Sequence, residues 1–272
     1  MGRFDGKVAY ITGAARGQGR SHAVRLAAEG ADIVAVDRCA PIPSVAYPLA
    51  TEADLAETVR AVEAHGRRIV ARRADVRDRA ALEAAAADAV AHFGRIDVVV
   101  ANAGIIPVPA AGIDENDAWR DAIDVLLTGT WNTLKATVPT LVAGGDGGAV
   151  VITSSTAGLK GFYDTWGGFD GYTAAKHGVV GLMRSYANVL APHRIRVNSV
   201  HPSGVATAMV VNRPFAAYME SHPEVAARLH NALPVDLLDV ADVTAAVLWL
   251  ASDEARYVTG VAFPIDGGMT VQ

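Results

Sequence analysis

The apolar positions of this chain gather in seven short runs, separated by longer alanine-rich stretches with helical spacing. The runs are VAYIT (8–12), DIVAVD (32–37), RRIVARRADV (67–76), IDVVVANAG (96–104), GAVVITSS (148–155), IRVNSVHP (195–202) and VAFPIDGG (261–268). Most are continuous rather than alternating, which is the pattern of strands covered on both faces. Such strands alternating with helices predict an α/β, Rossmann-type, doubly wound domain, with a seven-stranded parallel sheet flanked by about six crossover helices. Thr51 and Asp78 suit helix N-caps, and Gly30, Gly66 and Gly94 suit helix stops. No composition break or internal repeat divides the chain, so one domain is expected over residues 1–272.

Two segments interrupt the alternation. Residues 39–50, CAPIPSVAYPLA, carry three prolines and no helical period directly after the second strand. They read as an ordered loop insertion. Residues 203–238 are long and mixed in polarity, with Met209, Val210, Phe215, Tyr218 and Met219 suggesting a helical lid.

Composition narrows the function classes. A hydrophobic fraction of 51% and a mean hydropathy of +0.23 belong to a folded chain. The formal charge of −5, without a Lys/Arg run, argues against a nucleic-acid partner. No apolar run approaches the ~18 residues of a membrane span. The start MGRFDGK lacks an apolar leader, so a cytoplasmic protein is expected. The lone Cys39 excludes an internal disulfide and reads as incidental. The eight histidines form no metal-binding spacing, so no metal site is expected. His201, at the end of the sixth run, either touches a ligand or packs as a neighbour.

The chemistry begins at TGAARGQG, between the first strand and the following helix. Gly13, Gly17 and Gly19, with Arg16 and Gln18 between them, form a turn whose backbone can approach a pyrophosphate at a helix N-terminus. Asp37 closes the next strand, eighteen residues after Gly19. A carboxylate there accepts hydrogen bonds from ribose hydroxyls and repels a 2′-phosphate, which favours NAD over NADP. Arg16 and Arg38 could hold a phosphate, but Asp37 would have to swing aside. Tyr172 stands four residues before Lys176, a spacing that puts phenol and amine on one helix face. Alone, that pair is a weak signal.

TGAARGQG, ADV (74–76), NAG (102–104), SS (154–155), YTAAK (172–176), NSVHP (198–202) and PIDGG (264–268) occur in that order. The whole chain thereby resembles the short-chain dehydrogenase/reductase family. The helix GQGRSHAVRLA, the strand end VDRC and the proline-rich insertion resemble its mycofactocin-coupled, carveol-dehydrogenase-like branch. The resemblance implies Ser155, Tyr172 and Lys176 as catalytic residues. Tyr172 is then the proton donor and acceptor, Ser155 steadies the substrate oxygen, and Lys176 holds the nicotinamide ribose and lowers the phenol's pKa. Ser154 is expected only to support the strand end. Asp75 and Val76 match the residues that meet the adenine, and Asn102, Ala103 and Gly104 match the turn beside the adenosine ribose. Pro202 and Val205 match the segment holding the nicotinamide carboxamide, and Thr207 a hydroxyl near the cofactor. The family also implies a small alcohol or ketone substrate and a homotetramer. The branch implies tightly held NAD re-oxidised by a mycofactocin-type acceptor, with Ile42, Val45, Tyr47 and Leu49 of the insertion covering the adenine.

Three features depart from the family pattern. Leu126 replaces the usual asparagine in DVLLTGTWN, which puts the family's water relay to the lysine in doubt. A backbone carbonyl could hold that water, or Asn132 could substitute from another helix face. Ser203 stands where glycine is common. Seventeen positions separate Ser155 from Tyr172, a longer gap than usual, with FYDTWGGFDG supplying the excess. Trp166 and Phe169 in that loop read equally as pocket wall or plain packing. Two competing functions remain: an NADP-dependent ketoacyl-type reductase, opposed by Asp37, and a non-catalytic dinucleotide sensor, opposed by the retained Ser155, Tyr172 and Lys176 but kept open by Leu126.

Overall fold

The computed structural model describes residues 2–162 and 164–272; Tyr163, in the lengthened loop, lies outside them. In chain order the elements are β1 (Val8–Thr12), α1 (Gly17–Ala28), β2 (Asp32–Asp37), α2 (Glu52–Glu63), β3 (Ile69–Arg73), α3 (Arg79–Phe93), β4 (Val98–Ala101), α4 (Glu115–Ala122), α5 (Gly129–Gly144), β5 (Gly148–Thr153), α6 (Gly167–Leu190), β6 (Ile195–Pro202), α7 (Arg213–Ser221), α8 (Pro223–Ala226), α9 (Val240–Ala251) and β7 (Ala262–Ile265). The strands form one parallel sheet in the order β3-β2-β1-β4-β5-β6-β7. The order reverses between β1 and β4, which opens a crevice at the carboxyl ends of the strands.

The two-residue period of a strand explains why the sheet is covered twice. Val8 and Tyr10 of β1 join the apolar layer beneath α3, α5 and α6. Ala9 and Ile11 join the opposite layer with α1 and α9. Continuous burial fails at β3, an edge strand, where Arg72 and Arg73 turn outward to pair with Asp88 and Glu52. The expected runs also overshoot the ladders. Residues 74–76, 102–104, 154–155 and 266–268 lie past the strand ends as loops. There, glycine and polar side chains leave the ladder and edge the crevice.

Helix signals read locally hold. Thr51 and Asp54 form a reciprocal capping box at α2, and the Asp78 side chain accepts the Ala81 N–H at the start of α3. Gly94 ends α3 in the left-handed region at φ 81°. Between α4 and α5 the helix widens into a π-helical segment, Ile123–Thr128, which contains the buried Leu126. Residues 203–238 are helical only in α7 and α8 and otherwise run as turns and short connections. Among the described residues, no helix is long and apolar enough to cross a membrane.

Candidate active site

The crevice holds a cavity of about 470 Å³ that runs from the glycine turn to the start of α6. Every residue singled out from the sequence as catalytic or cofactor-binding lines it, from Gly13, Arg16, Gly17, Gln18 and Gly19 to Pro202, Val205 and Thr207. Gly13, at φ 69°, and Gly19 pack against each other. A Cβ on Gly19 would meet the Gly13 carbonyl oxygen at 2.0 Å. That contact draws the first turn of α1 onto the end of β1. No side chain caps α1 and no acidic residue sits in its first turn, so the N–H groups facing the cavity suit an anion. The buried Gln18 Oε1 and Ser203 Oγ have no hydrogen-bond partner among the described residues, and both residues line the cavity. The glycine cradle, the uncapped helix and these polar atoms fit a dinucleotide.

Asp37 is fixed rather than free to swing. Its carboxylate accepts the Ala15 N–H and the Cys39 N–H, each at 3.0 Å. Arg38 is drawn to Asp75 at 2.8 Å, and Arg77 bridges Asp75 to Asp121 of α4. Arg16 donates to the Pro48 carbonyl of the insertion. Both arginines that could have favoured a 2′-phosphate therefore have other partners. Cys39, at φ 52°, has its thiol pushed up to about 12, chiefly by burial and then by Asp37.

At the other end, Tyr172 and Lys176 share one face of α6, with the Lys176 Nζ 5.6 Å from the phenol ring centre. Both are buried. Lys176 Nζ donates to the Thr153 carbonyl at 2.7 Å, and Ser154 Oγ donates to the Lys176 carbonyl at 2.9 Å. That bond fastens the end of β5 to α6. Burial pushes the Lys176 amine down to about 7. It also pushes the Tyr172 phenol up, opposed by a hydrogen bond with Ser155. The net direction at the phenol is opposite to the lowering that the family resemblance implies, because desolvation outweighs the Ser155 hydrogen bond.

Leu126 lines the cavity beside Gly104 and Lys176. Its carbonyl, in the π-helical segment, accepts the Thr130 hydroxyl at 2.6 Å. Asn132 does not stand in for the missing asparagine. Its amide donates to the Val76 and Arg77 carbonyls and shapes the loop after β3. His201 is a packed neighbour that does not line the cavity. It hydrogen-bonds Ser155 and Ser199, and burial pushes it down to about 4.

The apolar wall differs in part from the expectation. Trp166 and Phe169 do not line the cavity. Phe169 is fully buried behind Phe162, with ring centres 4.6 Å apart, and Phe162 faces inward. Met209, Val210, Phe215 and Met219 line the cavity, whereas Tyr218 turns its hydroxyl to Asp164 of the lengthened loop. Ile106, Leu229 and Met269 complete the wall without any signal in the one-dimensional pattern. In the insertion, Ile42, Tyr47 and Leu49 face the cavity, while Val45 packs into the core. Tyr47 Oη accepts the Ile106 N–H at 3.2 Å and lies near enough to Tyr172 for the two phenols to interact. The insertion therefore reaches well beyond the Asp37 end. Among the described residues, no cluster of three or more His, Cys, Asp or Glu side chains is arranged to hold a metal.

A model of the short chain dehydrogenase family matches residues 7–215. The chain is 49% identical over 281 aligned positions to (-)-trans-carveol dehydrogenase of Rhodococcus erythropolis, with 100% of each chain covered. The crystal structure of carveol dehydrogenase from Mycobacterium avium in complex with NAD matches at TM-score 0.91 and 48% identity, with both chains fully covered. That of a short chain dehydrogenase from Mycobacterium paratuberculosis bound to NAD matches at 0.93 and 46%, again with full coverage of both. The chain belongs to the short-chain dehydrogenase family and is an oxidoreductase of that type.

Lys176 generates a pH prediction. Its folded pKa, about 7, lies below the ordinary 10.5, so the unfolded chain binds a proton that the folded one lacks between those values. Stability then rises with pH from about 7. Above about 10 the raised Tyr172 phenol works in the opposite direction. Urea unfolding from pH 6.5 to 9.5 should show a rising component in the wild type that Lys176→Met lacks. Parallel curves for the two proteins would contradict it.

Proposed function

We propose that this protein is an NAD-dependent dehydrogenase interconverting a secondary, terpenoid-type alcohol and its carbonyl compound. The observation that carries this reading is the placing of Ser155, Tyr172 and Lys176 on the same cavity as an anchored Asp37. Asp37 binds the adenosine ribose and excludes a 2′-phosphate, which counts against an NADP-dependent ketoacyl-type reductase. Asp75 and Val76 border the adenine, and Asn102, Ala103 and Gly104 the ribose. Pro202, Val205 and Thr207 hold the nicotinamide end. When bound, oxidised NAD would supply the hydride acceptor.

Ser155 holds the substrate hydroxyl, and Tyr172 removes its proton as the carbinol carbon gives up hydride. In the reverse direction Tyr172 returns the proton. Lys176 fixes the nicotinamide ribose and offsets charge at the phenol. The wall of Ile106, Phe162, Met209, Phe215, Met219 and Leu229 suits an apolar ring, with the 203–238 region as its lid. This supports a terpenoid-type alcohol, in line with the similarity to carveol dehydrogenases. The family resemblance also supports a single NAD-binding domain over residues 1–272, assembled as a cytoplasmic homotetramer.

The reading extends to retained NAD and an external, mycofactocin-type electron acceptor. The insertion supports this, because it is tied to the glycine turn by Arg16, to α4 by Ser44 and Asp121, and to Ile106 by Tyr47.

Two variants test these claims. Tyr172→Phe should lose at least about a hundredfold in alcohol oxidation while still binding NAD. Full activity in that variant removes Tyr172 from the mechanism. Replacing residues 40–49 with a brief polar loop should speed NAD release and permit turnover on free NAD, measured by stopped-flow fluorescence and steady-state assays. An intact protein that purifies empty and cycles readily on added NAD would show that the insertion does not retain the cofactor.

A further inference from the structure

The last pair in the β5–β6 ladder joins Thr153 to Val200, and the Ser154 N–H still donates to Val200. The Ser155 carbonyl lies beyond that ladder. Two donors meet that carbonyl: the Gly158 N–H at 2.9 Å and His201 Nδ1 at 2.8 Å. A carbonyl only accepts, so the imidazole proton is on Nδ1. The neutral ring then accepts at Nε2, where the Ser199 hydroxyl lies at 2.8 Å. Both residues are completely buried, and burial keeps the ring neutral across the working range. The Ser155 carbonyl therefore fixes the tautomer of His201, Ser199 steadies the ring at Nε2, and His201 fixes the peptide plane after Ser155.

We propose that His201 is a positioning residue for dehydrogenation, acting through the Ser155 carbonyl to hold the Ser155 hydroxyl where it meets the substrate oxygen. Ser155 Oγ already accepts the Ala157 N–H at 3.1 Å, which leaves its own hydrogen to donate toward the substrate oxygen or Tyr172. With the carbonyl held by two donors and Oγ by a third, the serine has one available orientation. Without the Nδ1 proton, the peptide turns about the remaining Gly158 bond and Oγ moves with it. Displacements of that size at a reacting centre slow turnover far more than they weaken binding. The inference rests on the role proposed above for Ser155.

The test compares His201→Leu, His201→Asn and Ser199→Ala, each alone and combined with Ser155→Ala. His201→Leu should lower kcat by at least about tenfold, with KM and NAD affinity within about threefold of wild type. His201→Asn can place an amide N–H near the Nδ1 position and should recover most of kcat. In the Ser155→Ala background, His201→Leu should add less than about twofold, because the group it positions is gone. An undiminished loss in that background, or an asparagine variant as impaired as leucine, overturns the proposal. If His201→Leu does not fold, Ser199→Ala decides. It removes the hydroxyl that steadies the ring at Nε2, and the loosened ring should lower kcat severalfold only where Ser155 is present; unchanged kcat overturns the proposal. Nitrogen-15 NMR of the wild type gives a readout independent of activity: a proton on Nδ1 is expected, and one on Nε2 contradicts it. Failure of the underlying reading looks different, since Ser155→Ala alone would then leave kcat unchanged.

Discussion

The site depends on an amine buried without a carboxylate. Lys176 has the Thr153 carbonyl as its hydrogen-bond acceptor and no opposing acid among the described residues. Such burial is costly for a charge, and it is tolerated because the carbonyl stands at the end of β5, where the ladder no longer uses it. The same constraint sets the geometry. Three successive residues, Thr153, Ser154 and Ser155, are bound to Lys176 Nζ, the Lys176 carbonyl and His201 respectively. The end of β5 is thereby fastened to α6 on one side and to β6 on the other. Tyr172, one turn before Lys176, takes its place from that fastening.

The opposite end of the cavity follows a different logic. There the anchor is backbone: close packing of Gly13 on Gly19 brings the first turn of α1 to the crevice, and two N–H groups hold Asp37. A fixed carboxylate discriminates better than a mobile one, because it cannot retreat from a 2′-phosphate. Arg38 is held by Asp75. Arg16 links this end to the insertion, and Tyr47 carries the insertion to Ile106, within electrostatic reach of Tyr172. One loop therefore touches both halves of the cavity.

How much of this was legible in the chain depended on the range of each interaction. The seven strands, the caps at Thr51 and Asp78 and the turn at Gly13–Gly19 are encoded within a few residues, and they were readable. Most candidate site residues sit at or just past a strand end or at helical spacing, and the structure gathers them around one cavity. Contacts between segments distant in sequence were not readable. Nothing near Asn132 in the sequence announces that it holds Val76, or that Phe162 rather than Phe169 faces inward. The aromatic loop could not be oriented without Tyr218, whose bond to Asp164 joins it to α7. The direction of the Tyr172 shift also escaped, since spacing reveals a neighbouring cation but not how much water burial has removed.

The decisive question is whether this cavity transfers a hydride from an alcohol carbon to NAD. The direct measurement is a single turnover of the protein loaded with NAD and given an apolar cyclic secondary alcohol deuterated at the carbinol carbon, followed by mass spectrometry of the nucleotide. One deuterium in each reduced nucleotide, with the matching ketone formed in equal amount, is the predicted result. Unlabelled reduced nucleotide, or no reduction across a panel of such alcohols by protein that demonstrably binds NAD, would contradict it.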